Sequence, residues 1–136
     1  MNHSVKAVLD SSALLAYLRR EPGCDAVIEA LLAGAAISAV NWAETLSKLA
    51  DLGRDPHQTA AALEAAGLLG QSLQILDFTD ALARETAALR TATRGAGLSI
   101  GDRACLALGR TLKLPVLTAD RLWRELRTGA QVRLLR

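Results

Sequence analysis

Residues 7–18 read AVLDSSALLAYL, and this stretch decides the fold. Residues 6–9 form a short apolar run that favours a buried strand, and residues 12–20 follow helical spacing until Pro22 and Gly23 interrupt it. A strand that leads directly into a helix is typical of an α/β fold. Asp10 stands at the junction, where a carboxylate would lie at the edge of the core rather than in solvent.

The same alternation continues to the end of the chain. Further strands are predicted over residues 36–40, 73–78, 115–118 and 131–134. Helices are predicted over residues 24–33, 42–52, 56–66, 80–93, 99–112 and 119–127. Strands joined by helices indicate a five-stranded parallel sheet with helices on both faces.

Length and composition indicate a single soluble domain. A chain of 136 residues has the size of one domain, so we expect one domain over residues 1–136. No segment reaches the roughly 20 uninterrupted apolar residues of a membrane-spanning helix, and MNHSVKAVLD lacks the pattern of an export signal. We therefore expect a cytoplasmic protein without a membrane partner.

Cysteine and histidine do not suggest a soft-metal site. The chain has two cysteines and two histidines, and none has the spacing of a zinc site. Cys24 and Cys105 are interpreted as small core residues.

Charge is unevenly distributed along the chain. Residues 1–83 contain five Lys or Arg and ten Asp or Glu, whereas residues 84–136 contain eleven and four. This asymmetry suggests an anionic partner for the C-terminal part, although basic helices are often only solvated surfaces. Because aromatic residues make up only 3% of the chain, a nucleic acid would be held mainly through its phosphates.

Four acidic residues fall where predicted strands end or helices begin. Asp10 and Asp120 follow the first and fourth strands, and Glu44 and Asp102 lie in the first turns of two helices. Ligands of parallel sheets bind outside the carboxyl ends of the strands, so these acids could share one edge. Four adjacent carboxylates would raise one another's pKa unless a cation lay among them, and Mg²⁺ is usually bound by carboxylates, water and phosphate.

Helix capping is an alternative explanation for two of these acids. Asn41-x-x-Glu44 and Ser99-x-x-Asp102 both fit the spacing of a capping box, and the helix dipole favours acids in a first turn. For Ser11, Ser12 and Thr118, which flank the strand-end acids, we expect a supporting role in orienting a carboxylate or water. Helix N-capping is again the alternative for these hydroxyl groups.

Four segments contain the four acids and follow one another over nearly the whole chain: AVLDSSALLAYLRREPG, SAVNWAETLSKL, LSIGDRACLALG and PVLTADRLW. Together they resemble the signature blocks of PIN-domain ribonucleases, most closely those of the VapC toxins of bacterial toxin–antitoxin pairs. Gly101 is an unusual residue at its position in the third block.

The resemblance implies a three-layer α/β/α PIN fold with a five-stranded parallel sheet. It also implies an endoribonuclease that depends on Mg²⁺ or Mn²⁺, in which a metal-activated water attacks a phosphodiester and leaves a 5′-phosphate and a 3′-hydroxyl. Asp10, Glu44, Asp102 and Asp120 match the catalytic and metal-binding acids, Asp10 as a direct ligand. The implied partners are an RNA of the tRNA or ribosomal RNA class, a cognate antitoxin and a second copy of the chain.

Two other functions remain open. A catalytically inactive PIN-fold module could use the same acidic edge to bind a protein partner. In a receiver or phosphatase domain, Asp10 would be the residue that carries the phosphoryl group. The usual second acid beside this Asp is missing here. The usual Lys after a later strand is missing too, since Lys113 precedes the fourth strand.

Overall fold

The computed structural model describes residues 4–136, which form a five-stranded parallel sheet between helices. The strands are β1 (Ala7–Leu9), β2 (Ala35–Ser38), β3 (Leu73–Leu76), β4 (Val116–Thr118) and β5 (Val132–Leu134), in the order β3-β2-β1-β4-β5. The helices are α1 (Ser11–Leu18), α2 (Cys24–Ala33), α3 (Ala39–Asp51), α4 (Pro56–Ala65), α5 (Asp80–Ala92) and α6 (Ile100–Leu112), and a short 3₁₀ helix spans Arg121–Glu125. The predicted α/β/α fold with five parallel strands is confirmed.

Side-chain alternation along β1 separates two hydrophobic cores. Leu9 packs with the apolar faces of α1 and α2, and Val8 packs on the opposite face with α5 and α6. Both residues are fully buried, as expected for a central parallel strand. Helix α3 contacts α1 in one layer and α6 in the other, which places it across the edge of the sheet that carries the strand ends.

The strand order reverses beside β1. The chain adds β2 and β3 on one side of β1, and then adds β4 and β5 on its other side. A crevice at the carboxyl ends of the strands is expected where the order reverses, here between β1 and β4. Asp10 and Asp120 follow these two strands.

Several predicted boundaries were wrong. The strand predicted over residues 36–40 spans Ala35–Ser38, and Ala39 and Val40 belong to α3. Helix α3 begins at Ala39 rather than at residue 42, because the Ser38 hydroxyl caps it by accepting a hydrogen bond from the Val40 N–H. Strand β3 ends at Leu76, since its partner Ser38 is the last residue of β2. The helix predicted over residues 119–127 is only the 3₁₀ helix, and the backbone is extended again at Leu126.

Within residues 4–136, no helix has both the length and the apolar character needed to cross a bilayer.

Candidate active site

Asp10 is a nearly buried carboxylate at the end of β1. It caps the N-terminus of α1 and is 5% exposed. Its Oδ1 accepts hydrogen bonds from the Ser12 hydroxyl at 2.7 Å and the Ala13 N–H at 2.8 Å. Its Oδ2 accepts one from the Thr118 hydroxyl at 2.6 Å. These three donors fix the orientation of the carboxylate.

Burial dominates the titration of Asp10. Loss of solvation raises its pKa from the ordinary 3.8 to about 6. Hydrogen bonds from Thr118, Ser12 and the Ala13 N–H lower this pKa, and the negative charge of Asp102 raises it. Because desolvation outweighs the hydrogen bonds, the ionised Asp10 lacks a full set of compensating interactions.

Two hydroxyl groups connect the ends of β1 and β4. Thr118 donates to Asp10 and accepts from the Asp120 N–H at 3.0 Å, while Ser12 donates to Asp10 and accepts from the Ala119 N–H at 3.0 Å. Ser12 and Thr118 therefore both donate hydrogen bonds to Asp10, and their supporting role stays a prediction. Ser11, the third predicted hydroxyl, makes no side-chain hydrogen bond within the described chain.

Replacing Thr118 by Val should raise the pKa of Asp10 further. The Thr118 hydroxyl makes the largest contribution that lowers this pKa, and valine has nearly the same shape without the donor. We also expect a loss of about 1–3 kcal/mol in unfolding free energy, because the buried Asp10 carboxylate loses a donor. Carboxyl-detected NMR titration of metal-free protein measures the pKa.

The control is Thr93→Val, which replaces another buried threonine, whose hydroxyl donates only to the Leu89 carbonyl. An unchanged Asp10 pKa in Thr118→Val would contradict the assigned role.

Glu44 lies on α3 where this helix meets α6. Its Oε1 accepts a hydrogen bond from the Asn41 Nδ2 at 2.8 Å, and the same Nδ2 donates to the Gly101 carbonyl at 3.0 Å. The capping-box interpretation of Asn41 and Glu44 was wrong, because Ser38 caps α3 and both residues lie inside the helix. Asn41 is instead a buried side chain that joins α3 to α6.

Asp102 lies in the first turn of α6, and its capping prediction is confirmed. The Ser99 hydroxyl accepts from the Asp102 N–H at 3.1 Å, and the Asp102 Oδ2 accepts from the Ser99 N–H at 3.0 Å. Capping does not remove Asp102 from the site, since its charge still raises the pKa of Asp10.

A buried thiol reports which acids lie close together. Cys105 is fully buried, and burial raises its pKa well above the ordinary 9.0. The charges of Asp10, Asp102 and Glu44 raise this pKa further. All three acids thus lie near enough to Cys105 for their charges to act on its thiol. Cys24, also predicted in the core, is only half-buried.

Asp120 is the most exposed of the four predicted acids. It is exposed, and its Oδ1 accepts from the Leu122 N–H at 3.0 Å to cap the 3₁₀ helix. Its connection to Asp10 runs through the Thr118 hydroxyl. The structure thus links Asp120 to Asp10 through Thr118, and the contact of Glu44 with Gly101 brings Glu44 beside Asp102.

The donors suit a hard divalent cation, although they are not arranged as a finished site. Within residues 4–136, no three His, Cys, Asp or Glu side chains are grouped as metal ligands. Asp10 is buried with a raised pKa, so a cation would stabilise its ionised form. Glu44, Asp102 and Asp120 are partly or fully exposed, and each has a carboxylate oxygen without a hydrogen bond in the described chain. Oxygen ligands of this kind match Mg²⁺ or Mn²⁺.

Sequence reasoning missed the contact between Asn41, Glu44 and Gly101. Asn41 was interpreted as a helix cap, and no local pattern indicates that its side chain reaches a residue 60 positions away. The one available signal was the unusual glycine beside Asp102.

Comparison with protein-family models gives one match. Residues 7–128 match the PIN domain model, so the match includes all four predicted acids. No curated protein matches the sequence.

Solved structures with similar folds include several toxin–antitoxin proteins. A DNA-bound VapBC of Salmonella typhimurium has a TM-score of 0.75 at 18% identity, covering 98% of this chain and 100% of that one. VapBC2 of Rickettsia felis, bound to a promoter DNA fragment, has a TM-score of 0.72 at 15% identity, covering 94% and 97%. VapBC-5 of Mycobacterium tuberculosis has a TM-score of 0.58 at 27% identity, covering 98% and 99%. At these levels of identity, the first two similarities show a shared fold.

Proposed function

The chain belongs to the PIN-domain family, and from this premise we propose that it is a metal-dependent endoribonuclease, the toxin of a toxin–antitoxin pair. It resembles the VapC toxins of VapBC systems. The observation that carries the proposal is Asp10, a buried carboxylate at the end of β1 that three hydrogen bonds orient and whose pKa is raised to about 6, in part by the charge of Asp102. Such a group favours a cation beside it.

In the proposed enzyme, Asp10, Glu44, Asp102 and Asp120 would hold Mg²⁺ or Mn²⁺. The bound ion would lower the pKa of a water and neutralise charge that develops on the phosphate. Ser12 and Thr118 keep the Asp10 carboxylate in one orientation through short hydrogen bonds. Because Asp10 is fixed and Asp102 and Asp120 are more exposed, we expect these two acids to adjust when the ion binds.

The remaining charge of the chain favours a polyanionic substrate. Without the four acids, ten of the fourteen acidic residues remain against sixteen basic ones. Two of the basic residues, Arg121 and Arg124, are exposed on the 3₁₀ helix that Asp120 caps. They lie where the phosphates of an RNA could approach the acids. We propose tRNA or ribosomal RNA as the substrate class.

A protein partner is part of the proposal. Similar structures are described as toxin–antitoxin complexes, among them one from Klebsiella pneumoniae, and this supports a cognate antitoxin for the present chain. We further propose a homodimer that acts in the cytoplasm on cellular RNA.

Incubation with total RNA tests the activity. We expect cleavage at defined phosphodiester bonds with Mg²⁺ or Mn²⁺, loss of cleavage after chelation, and recovery when either ion is restored. Sequencing of the fragment ends should show a 5′-phosphate and a 3′-hydroxyl. Cleavage that persists in excess chelator would contradict metal dependence.

A catalytically inactive binding module is the second candidate. It is favoured by one observation, namely that the acids are not grouped as metal ligands within residues 4–136. Such a module would bind a basic protein partner through the acidic edge without metal and would leave RNA intact with every ion tested. The cleavage experiment therefore separates the two candidates.

A further inference from the structure

Asn41 occupies an unfavourable place for a polar side chain. It is 1% exposed on α3, and its neighbours at hydrogen-bond distance are a Glu44 carboxylate oxygen and the Gly101 carbonyl. Both neighbours only accept hydrogen bonds, so the NH₂ group of the amide must face them. The Asn41 Oδ1 is consequently buried without a donor in the described chain. A buried carbonyl without a donor destabilises a fold, which argues against stability as the reason for this residue.

Gly101 has no side chain, and this leaves space on α6 for the Glu44 carboxylate. A Cβ atom at position 101 would lie 2.2 Å from the Glu44 Oε2 and 2.5 Å from its Oε1. The Glu44 carboxylate therefore occupies the volume that any other residue would fill at this point of α6. Gly101 lies inside a helix, where alanine would favour helix formation, so helix stability does not explain the glycine.

We propose that Asn41 and Gly101 are positioning residues that together set where the Glu44 carboxylate lies. Asn41 holds Oε1 by a hydrogen bond, and Gly101 admits the carboxylate beside the first turn of α6, next to Asp102. Oε2 is left without a hydrogen bond in the described chain and is available to a divalent cation. This inference rests on the proposed function, because it assigns Glu44 a cation to bind.

Two single substitutions remove the positioning in different ways. Asn41→Ala removes the hydrogen bond, and Gly101→Ala fills the space. In both variants we expect the affinity for Mn²⁺, titrated by calorimetry, to fall about 10–100-fold, the range found when groups that orient metal ligands are lost. RNA cleavage should lose kcat in both variants while KM for RNA is unchanged.

Thermal stability separates positioning from a structural role. In Gly101→Ala the displaced atoms are the end of a flexible, partly exposed side chain, and alanine is the better helix former. We therefore expect the melting temperature of metal-free Gly101→Ala to equal or exceed that of the unmodified protein while Mn²⁺ affinity falls. Asn41→Ala also removes buried volume, so its own melting temperature should fall.

Two further variants complete the test. Ser47→Ala is the control on the same helix, since the exposed Ser47 hydroxyl donates only to the Ala43 carbonyl, and it should keep full Mn²⁺ affinity. In a Glu44→Ala background, Asn41→Ala should weaken Mn²⁺ binding no further, because the group that it positions is gone.

The inference and the proposed function fail in different ways. Unchanged Mn²⁺ affinity in both single variants, or a Gly101→Ala protein that loses melting temperature in parallel with affinity, would overturn the positioning role. If the unmodified protein binds no Mn²⁺ and cleaves no RNA, the proposed function itself fails.

Discussion

Asp10→Asn is expected to abolish RNA cleavage and to weaken binding of Mg²⁺ or Mn²⁺, while the protein should remain folded. Asparagine has the same shape and is a good helix N-cap, so its Oδ1 can still accept from the Ser12 hydroxyl and the Ala13 N–H. The negative charge is lost at the most buried of the four acids. The cation site then loses a charged ligand that three hydrogen bonds hold in one orientation.

Cleavage of a sensitive RNA and calorimetric titration with Mn²⁺ measure these two losses, and circular dichroism checks the fold. Asp55→Asn is a matched control, because Asp55 also caps a helix through its side chain but is exposed and accepts its side-chain hydrogen bond only from the Gln58 N–H of α4. The control should cleave RNA at the normal rate. If Asp10→Asn cleaves as fast as the unmodified protein, the nuclease assignment fails.

The metal-free protein should become more stable when Asp10 loses its charge. The pKa of Asp10 is about 6 in the folded protein. In the unfolded chain, where the carboxyl group is solvated, it returns to the ordinary 3.8. A shift of this size corresponds to about 3 kcal/mol of destabilisation above pH 6, where the carboxylate is ionised in both states. Asp10→Asn should recover only part of this free energy. The NH₂ group of asparagine replaces the Oδ2 atom and cannot accept the hydrogen bond from the Thr118 hydroxyl.

The sign of the pH dependence follows from the same shift. Between pH 6 and pH 3.8 the folded protein binds a proton at Asp10 that the unfolded chain does not, so this contribution to the unfolding free energy rises as pH falls. Urea unfolding in chelator at pH 7.5 and pH 5 should give Asp10→Asn an advantage that shrinks at the lower pH. A clear drop in the melting temperature of metal-free Asp10→Asn at pH 7.5 would be incompatible with an uncompensated charge.

The sheet edge could be predicted because parallel strands share a direction. Asp10 and Asp120 follow β1 and β4, and the carboxyl ends of neighbouring parallel strands must lie at the same edge. The identity of the acids at this edge therefore followed from local strand and helix signals. The prediction that these four acids bind a metal and catalyse cleavage stays a prediction.

The contacts among the helices could not be predicted. Ser38 and Asn41 are both good N-cap residues, and in the structure Ser38, which pairs with Leu76 at the end of β2, caps α3. With Ser38 as the N-cap, Asn41 lies inside α3 and its side chain donates a hydrogen bond to the Gly101 carbonyl. Such a contact depends on the packing of α3 against α6, which a local pattern does not contain.

The hydrogen bond between Thr118 and Asp10 joins positions 108 residues apart. During synthesis, Asp10 leaves the ribosome early, but its second carboxylate oxygen has no partner until β4 has been made and has paired with β1. A nascent or truncated chain that stops before Thr118 lacks this part of the site, however well its first helices have formed. In a nuclease of the proposed kind, the order of synthesis alone would delay activity against the RNA around it until β4 has been made.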